Sequence, residues 1–331
     1  MTCLVIGTYA AKGGAGLIPV VEAGGVWTIG EPHRAIRNAS FGVTSSRWGH
    51  CYLVDEQAGT LGVFNPSGDW AQIGQMETGG RAPCHVALSP DETRLAVANY
   101  ESGTITLFDL DRHGLPKART ILCNQGRGPN LDRQRGPHAH WVGFTTAGAL
   151  LCVDLGADHI LVRDVPDKDD ARVLYAAPTG SGPRHLAFHP TLKTGYLISE
   201  LAATLTVLRP EKGCFVADIT IPTAPPEADA DNLGGAIVVA GDRLYVTNRG
   251  HDSIATFALD GEGTPHLLGH MASGGCSPRF LLPLEDRLVV AHEEGGGVSI
   301  FGLAEDGTPL PDPAKLDIAA AAFVMVDKWA D

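Results

Sequence analysis

The chain lacks any apolar run long enough to cross a bilayer. Its longest candidate, Ile318 to Val326, has nine residues against the roughly 20 that a spanning helix needs. No basic segment precedes the first apolar stretch, MTCLVIGTYAAKGG, so no secretory leader is read there. There is no CxxC pair. The seven cysteines, at 3, 51, 84, 123, 152, 214 and 276, are scattered and odd in number. That argues against a disulfide framework or a zinc-thiolate site and points to a reducing cytoplasm. Positive charge is short: Lys and Arg number 25 against 38 Asp and Glu, a formal net charge of −13. A field of that sign opposes nucleic acid and anionic membranes, although it leaves room for a local basic pocket. Also missing are a GxSxG elbow, a P-loop and a dinucleotide fingerprint between strand and helix. Each would have announced its own chemistry.

Turn residues are abundant, with 41 glycines and 22 prolines, and one unit is written repeatedly. An apolar strand ends in a small polar or acidic residue, a short turn follows, and a second apolar strand returns. The copies are CYLVDEQAGTLGVF, LAVANYESGTITLF, LLCVDLGADHILVR, GYLISELAATLTVL, RLYVTNRGHDSIATF and RLVVAHEEGGGVSIF. Their strand-ending residues are Asp55, Asn99, Asp154, Ser199, Asn248 and His292. A weaker first copy ends near Thr8. Another strand precedes each hairpin, starting near Asn38, Pro83, Pro137, Pro183, Gly234, Pro278 and Ala321. No stretch repeats its apolar residues at the helical period. Seven units of ~47 residues, each a small antiparallel sheet, predict an all-β, seven-bladed propeller of four-stranded blades. It would form one domain over 1–331, its ring closed by strands from both termini. Ile318 to Val326, which could pass for a short helix, is expected as a strand.

Polar residues gather where the inner strands begin, and the loops before those strands should crowd one mouth of the ring. His85, His138, His140, Arg184, His185 and Arg279 sit at such starts; Glu200 and Arg249 follow the strand-ending residues. The longest inter-unit loop carries Arg127, Arg133 and Arg135 into Pro137-His-Ala-His. His138 and His140 are two apart, so strand alternation puts them on one face. Each of these side chains could instead serve structure, as a turn cap or an inter-blade ion pair. Asn99, Asp154 and Asn248, at comparable hairpin ends, could together offer oxygen ligands to a divalent cation, but turn capping is the plainer reading for them. No metal and no other cofactor is expected.

GTY at 7–9, NASF at 38–41, GRAPCHVALSPDETRLAVANY at 80–100, GRGPNLDRQRGPHAH at 126–140, GSGPRHLAFHP with Ser199-Glu200, and GCSPRF at 275–280 together resemble the lactonase family of seven-bladed propellers. That family includes propeller-type 6-phosphogluconolactonases of bacteria and carboxymuconate cyclases of fungi. The resemblance implies an active set of a PHAH histidine (His138 or His140), Arg184, Glu200 and Arg249. It also departs from the pattern. Gly235-Ala236-Ile237 stands where relatives often carry Ala-Glu-Ile, and His292-Glu293 replaces a more usual Asn-Gln.

The chemistry expected of that set is hydrolysis of an anionic small-molecule lactone, with 6-phosphogluconolactone foremost. A histidine or Glu200 would take the proton of a water. Arg184 and Arg249 would stabilise the oxyanion, and Arg133, Arg279, His85 and His185 would bind substrate. Two alternatives accompany it. One is a cycloisomerase or hydrolase of another carboxylated lactone; the other is a non-catalytic scaffold, since a propeller fold alone does not specify function. The expected state is a monomer or homodimer.

Overall fold

The structure is a computed structural model that describes residues 1–165, 170–228 and 231–329. The described residues form seven four-stranded antiparallel sheets. Their only helical segments are two 3₁₀ turns, at Ala10–Lys12 and Pro66–Gly68. No helix among them is long and apolar enough to cross a membrane. The inner strands of blades 2 to 7 are Ala39–Thr44, Pro83–Leu88, Ala139–Phe144, Pro183–Phe188, Leu233–Ala240 and Cys276–Pro283. Blade 1 is composite: Ala321–Val326 pairs with Thr2–Thr8, which leads out to Leu17–Ala23 and Val26–Ile29. Val5 opposes Met325 and Ile6 opposes Val324. The C-terminal segment is therefore a strand, and both ends of the chain close the ring.

Second strands are apolar on both faces because each is covered on both sides. In blade 3, Leu95, Ala96, Val97 and Ala98 are all fully buried. Leu95 and Val97 pack with Tyr52, Leu61 and Val63 of blade 2, whereas Ala96 and Ala98 pack with Val142 and Cys152 of blade 4. The period-2 alternation of a strand thus serves two interfaces at once. The core divides into seven such clusters, one between each pair of adjacent blades. Three of the interfaces carry the same staple. The hydroxyls of Tyr52, Tyr196 and Tyr245 donate to the carbonyls of Gly114, Gly263 and Gly307 in the next blade, each at 2.7 Å. Those glycines have φ of +76° to +78°, a turn conformation that a side chain would strain.

The strand-ending polar residues cap turns. Asn99 donates to the hydroxyls of Thr104 and Thr106 at 3.2 and 3.0 Å. Asp154 accepts from the backbone of His138 and Ala157, and Asn248 bonds with Thr223 and Ser253. Asp154 and Asn248 are spent within the turns and on flanking strands, and Asn99 through its amide nitrogen, its Oδ1 being buried without a partner.

Candidate active site

Two columns of residues, each with one member per blade, converge on the ring axis. The first follows the capping residue: Tyr9, Glu56, Tyr100, Leu155, Glu200, Arg249 and Glu293. The second lies at an irregularity that recurs in every inner strand, where pairing skips one residue or, at Ser40 and Gly235, that residue and the next: Ser40, Cys84, His140, Arg184, Gly235, Arg279 and Ala322. A bulged residue leaves the ladder and its side chain is re-aimed; here the bulges project toward the channel. Glu56, Cys84, Tyr100, Arg133, His140, Glu200, Arg249 and Arg279 line a cavity of about 220 Å³.

Glu200 is the hub. Its carboxylate accepts from Arg133 through Oε1, and Oε2 accepts from Arg184 Nε at 3.0 Å and pairs with Arg249 Nη2 at 2.7 Å. His140 Nε2 stands 3.9 Å from the same Oε2. Burial alone would raise the Glu200 pKa, but the guanidiniums of Arg249 and Arg184 outweigh it and hold the group far below the usual carboxylate range. Burial and the Arg184 charge push His140 well below the ordinary histidine value, against the pull of Glu200, so its ring is neutral at pH 7. His140 Nδ1 and Arg249 Nε are buried without a hydrogen-bond partner. Burial, then the charge of Arg249, lowers Arg184 to about 10. Its Nη1 donates to the Gly235 carbonyl at 2.9 Å.

A second set adjoins this one, with Arg249 between Glu200 and Glu293. Tyr9 donates to Glu56 Oε2 at 2.7 Å. Arg279 lies between Glu56 (3.7 Å) and Glu293 (3.4 Å), with its guanidinium over the Tyr9 ring. Glu293 also accepts from Ser277 at 2.9 Å and approaches Arg249 at 3.7 Å.

The candidates read from sequence divide accordingly. His140, Arg133, Glu200, Arg249 and Arg279 line the cavity, and Arg184 backs Glu200 from beneath. His138 does not join them. The inner strand begins at Ala139 and bulges at His140, so simple alternation does not run through the pair. His138 stacks on Tyr100 (4.6 Å between centroids), with Nδ1 2.9 Å from the Tyr100 carbonyl oxygen. His85 and His185 lie one position past the bulge. They pack in an aromatic layer under the cavity with Phe41, Trp141, Phe280 and Phe323. Burial lowers His85 to about 3, and both rings are neutral floor. Of the loop arginines only Arg133 reaches the site; Arg127 and Arg135 are exposed. Tyr9, Glu56 and Tyr100 escaped the sequence reading, as did Glu293 as a site residue. Their column was visible there, one step past each strand-ending residue.

Arg133 is held in place by its neighbour. Gln134, fully buried, donates to the Leu155 carbonyl and to Asp158 Oδ1, both at 2.9 Å. Asp158 also accepts from Gly180 and Gly182, at 2.7 and 2.8 Å, in the turn that leads to Arg184. One carboxylate thus ties both arginine-bearing segments together. At the departure from the family pattern, Ala236 carries no carboxylate. A Cβ on Gly235 would collide with the Thr247 hydroxyl and crowd the Pro278 carbonyl.

The model of the lactonase family of seven-bladed β-propellers matches residues 3–326. The chain belongs to that family. It is 31% identical over 315 residues to the 6-phosphogluconolactonase of Bacillus subtilis, covering 89% of each chain. A putative 6-phosphogluconolactonase from Bacteroides uniformis superposes with a TM-score of 0.85 at 26% identity, over 98% of this chain and 99% of that one. The periplasmic gluconolactonase PpgL of Pseudomonas aeruginosa reaches 0.88 at 24% identity, over 98% of both chains, a likeness of fold.

Proposed function

We propose that this lactonase-family propeller hydrolyses the lactone of a sugar acid, with 6-phosphogluconolactone as its first substrate, and needs no cofactor for the step. The observation that carries the reading is the pairing of a neutral His140 with an ionised Glu200, itself fixed by three arginines, in the wall of one cavity. A lactone carbonyl enters beside Arg249. Neutral His140 takes the proton of a water as its oxygen adds to the carbonyl carbon, and Glu200 stabilises the imidazolium that forms. Glu200 is a poor base itself, because three cations hold its charge. The oxyanion develops against the guanidinium donors. It collapses with cleavage of the ring C–O bond, and the imidazolium returns the proton to the departing alkoxide. Arg133, whose side chain is about one-third exposed at the mouth, meets the 6-phosphate; a guanidinium fork suits that group.

The test follows acid release from fresh 6-phosphogluconolactone, from gluconolactone and from a carboxylated muconolactone, after subtraction of spontaneous opening. Enzymatic opening of a sugar-acid lactone, lost in Arg249→Ala, is expected. Activity on the muconolactone alone would favour the cycloisomerase or other-lactone reading. Activity on none of the three would leave the propeller as a binding scaffold.

A further inference from the structure

Between the cavity and the aromatic layer lies a smaller hollow, lined among others by Ser40, Cys84, His140, Arg184, His185 and Arg279. Cys84, His140 and Arg279 line the cavity above it as well. The hollow measures about 10 Å³, room for one water and no more. Two polar atoms of its lining residues are buried without a hydrogen-bond partner, Ser40 Oγ and His140 Nδ1. The two residues are 3% and 5% exposed, and both stand in the bulge column that projects toward the channel. Leaving such atoms dry is costly, and a buried water joins two to four of them. Other polar groups of the lining are already engaged. The Cys84 thiol points at the Ala139 and His140 carbonyls, 3.7 and 3.5 Å away. Arg184 donates to Glu200 and to the Gly235 carbonyl, and Arg279 pairs with Glu56 and Glu293.

A neutral imidazole has one N–H and one lone pair, and the partner of one nitrogen sets the role of the other. His140 Nε2 is 3.9 Å from Glu200 Oε2, beyond hydrogen-bond reach. That oxygen already serves Arg184 and Arg249. Three guanidiniums around one carboxylate leave this side net positive, which favours a lone pair at Nε2 over an N–H. The ring proton then sits on Nδ1 and needs an acceptor.

We infer that one buried water occupies the hollow between His140 Nδ1 and Ser40 Oγ, that it accepts the Nδ1 proton, and that Ser40 is thereby a positioning residue that keeps Nε2 free as the base. The kinetic part rests on the reading of His140 as the base in lactone opening; the water and the tautomer stand apart from it.

Three measurements test this. High-resolution diffraction should place one water within about 3.2 Å of both atoms; a dry hollow overturns the inference. Long-range ¹⁵N spectra of histidine-labelled protein at pH 7, with His140 assigned by its loss in His140→Gln, should show Nδ1 protonated and Nε2 bare; the reverse overturns it. Ser40→Thr and Ser40→Val have nearly the same shape and differ in the hydroxyl. With the best lactone, kcat of the Val variant should lie about tenfold or more below that of the Thr variant at equal KM, and its spectrum should gain the Nε2–H form. Equal losses in both would make Ser40 a packing residue. If neither variant folds, the wild-type spectrum and diffraction decide. A wild type that opens no lactone overturns the lactonase reading, and those two measurements still judge the water.

Discussion

Glu200→Gln tests the charge network without changing its shape. The wild-type carboxylate is 2% exposed and neutralises Arg133, Arg184 and Arg249. The amide keeps one acceptor oxygen but turns an NH₂ toward guanidiniums that also donate. Arg184, equally buried, is left with the Gly235 carbonyl as its main partner. Removing one member of a buried ion pair costs about 3–5 kcal/mol. An unfolding entropy of about 2.1 cal/mol/K per residue over 331 residues gives about 0.7 kcal/mol/K. The melting temperature should therefore drop about 4–7 °C at pH 7. The pH dependence has a definite sign. The folded pKa of Glu200 lies below its ordinary value of 4.5, so its contribution is fully present above pH 4.5 and is lost as the pH falls toward the folded pKa. The gap between wild type and variant should be widest at neutral pH and narrow below 4.5. Thermal melts followed by circular dichroism at pH 7 and pH 4, at constant ionic strength, read both effects. A shift under 1 °C at pH 7, or a gap that widens on acidification, would refute the reasoning.

Three further outcomes follow from the geometry. His140 is held neutral well below pH 6.5, so kcat/KM should stay flat from pH 8 through 6.5 and fall only at lower pH, where the base protonates; an inflection at 6.5–7 would contradict its role. Gln134→Ala cuts the ties to Leu155 and Asp158 and lets Arg133 drift, so kcat/KM should fall roughly ten- to a hundredfold, chiefly through KM, while the buried acceptors left unpaired should lower the melting temperature by about 1–4 °C; an unchanged KM would show that Arg133 needs no such support. Gly235→Ala drives a Cβ into the Thr247 hydroxyl and should cost about 1–3 kcal/mol, measured by chemical denaturation. Neutral stability there would mean that the bulge is more pliable than its packing implies.

The blades were legible because each interface repeats one apolar pattern with its own turn. The composite first blade followed from the weak copy near Thr8 and the unpaired strand at Ala321–Val326. Glu200, Arg184 and Arg249 could be named because they stand in local motifs. Their assembly could not be read, since Arg133 and Glu200 are 67 residues apart and meet only because adjacent blades bring them together at the ring axis. The bulges were the chief loss. A bulge reverses alternation without any mark in residue type, which is why His138 read like His140, and why His85 and His185 read as site residues while lying in the aromatic floor. The column Tyr9, Glu56, Tyr100 and Glu293 was available by aligning the copies one residue past their capping positions. Its meaning needed the cavity.

The most direct test of the account is the rate of lactone opening by His140→Ala beside the wild type, at pH 7 on the best sugar-acid lactone. Loss of a positioned base should lower kcat by about 10²–10⁴-fold, with the variant melting close to the wild type. A His140→Ala enzyme that keeps kcat within threefold would contradict it, and would place the proton transfer elsewhere in the cavity.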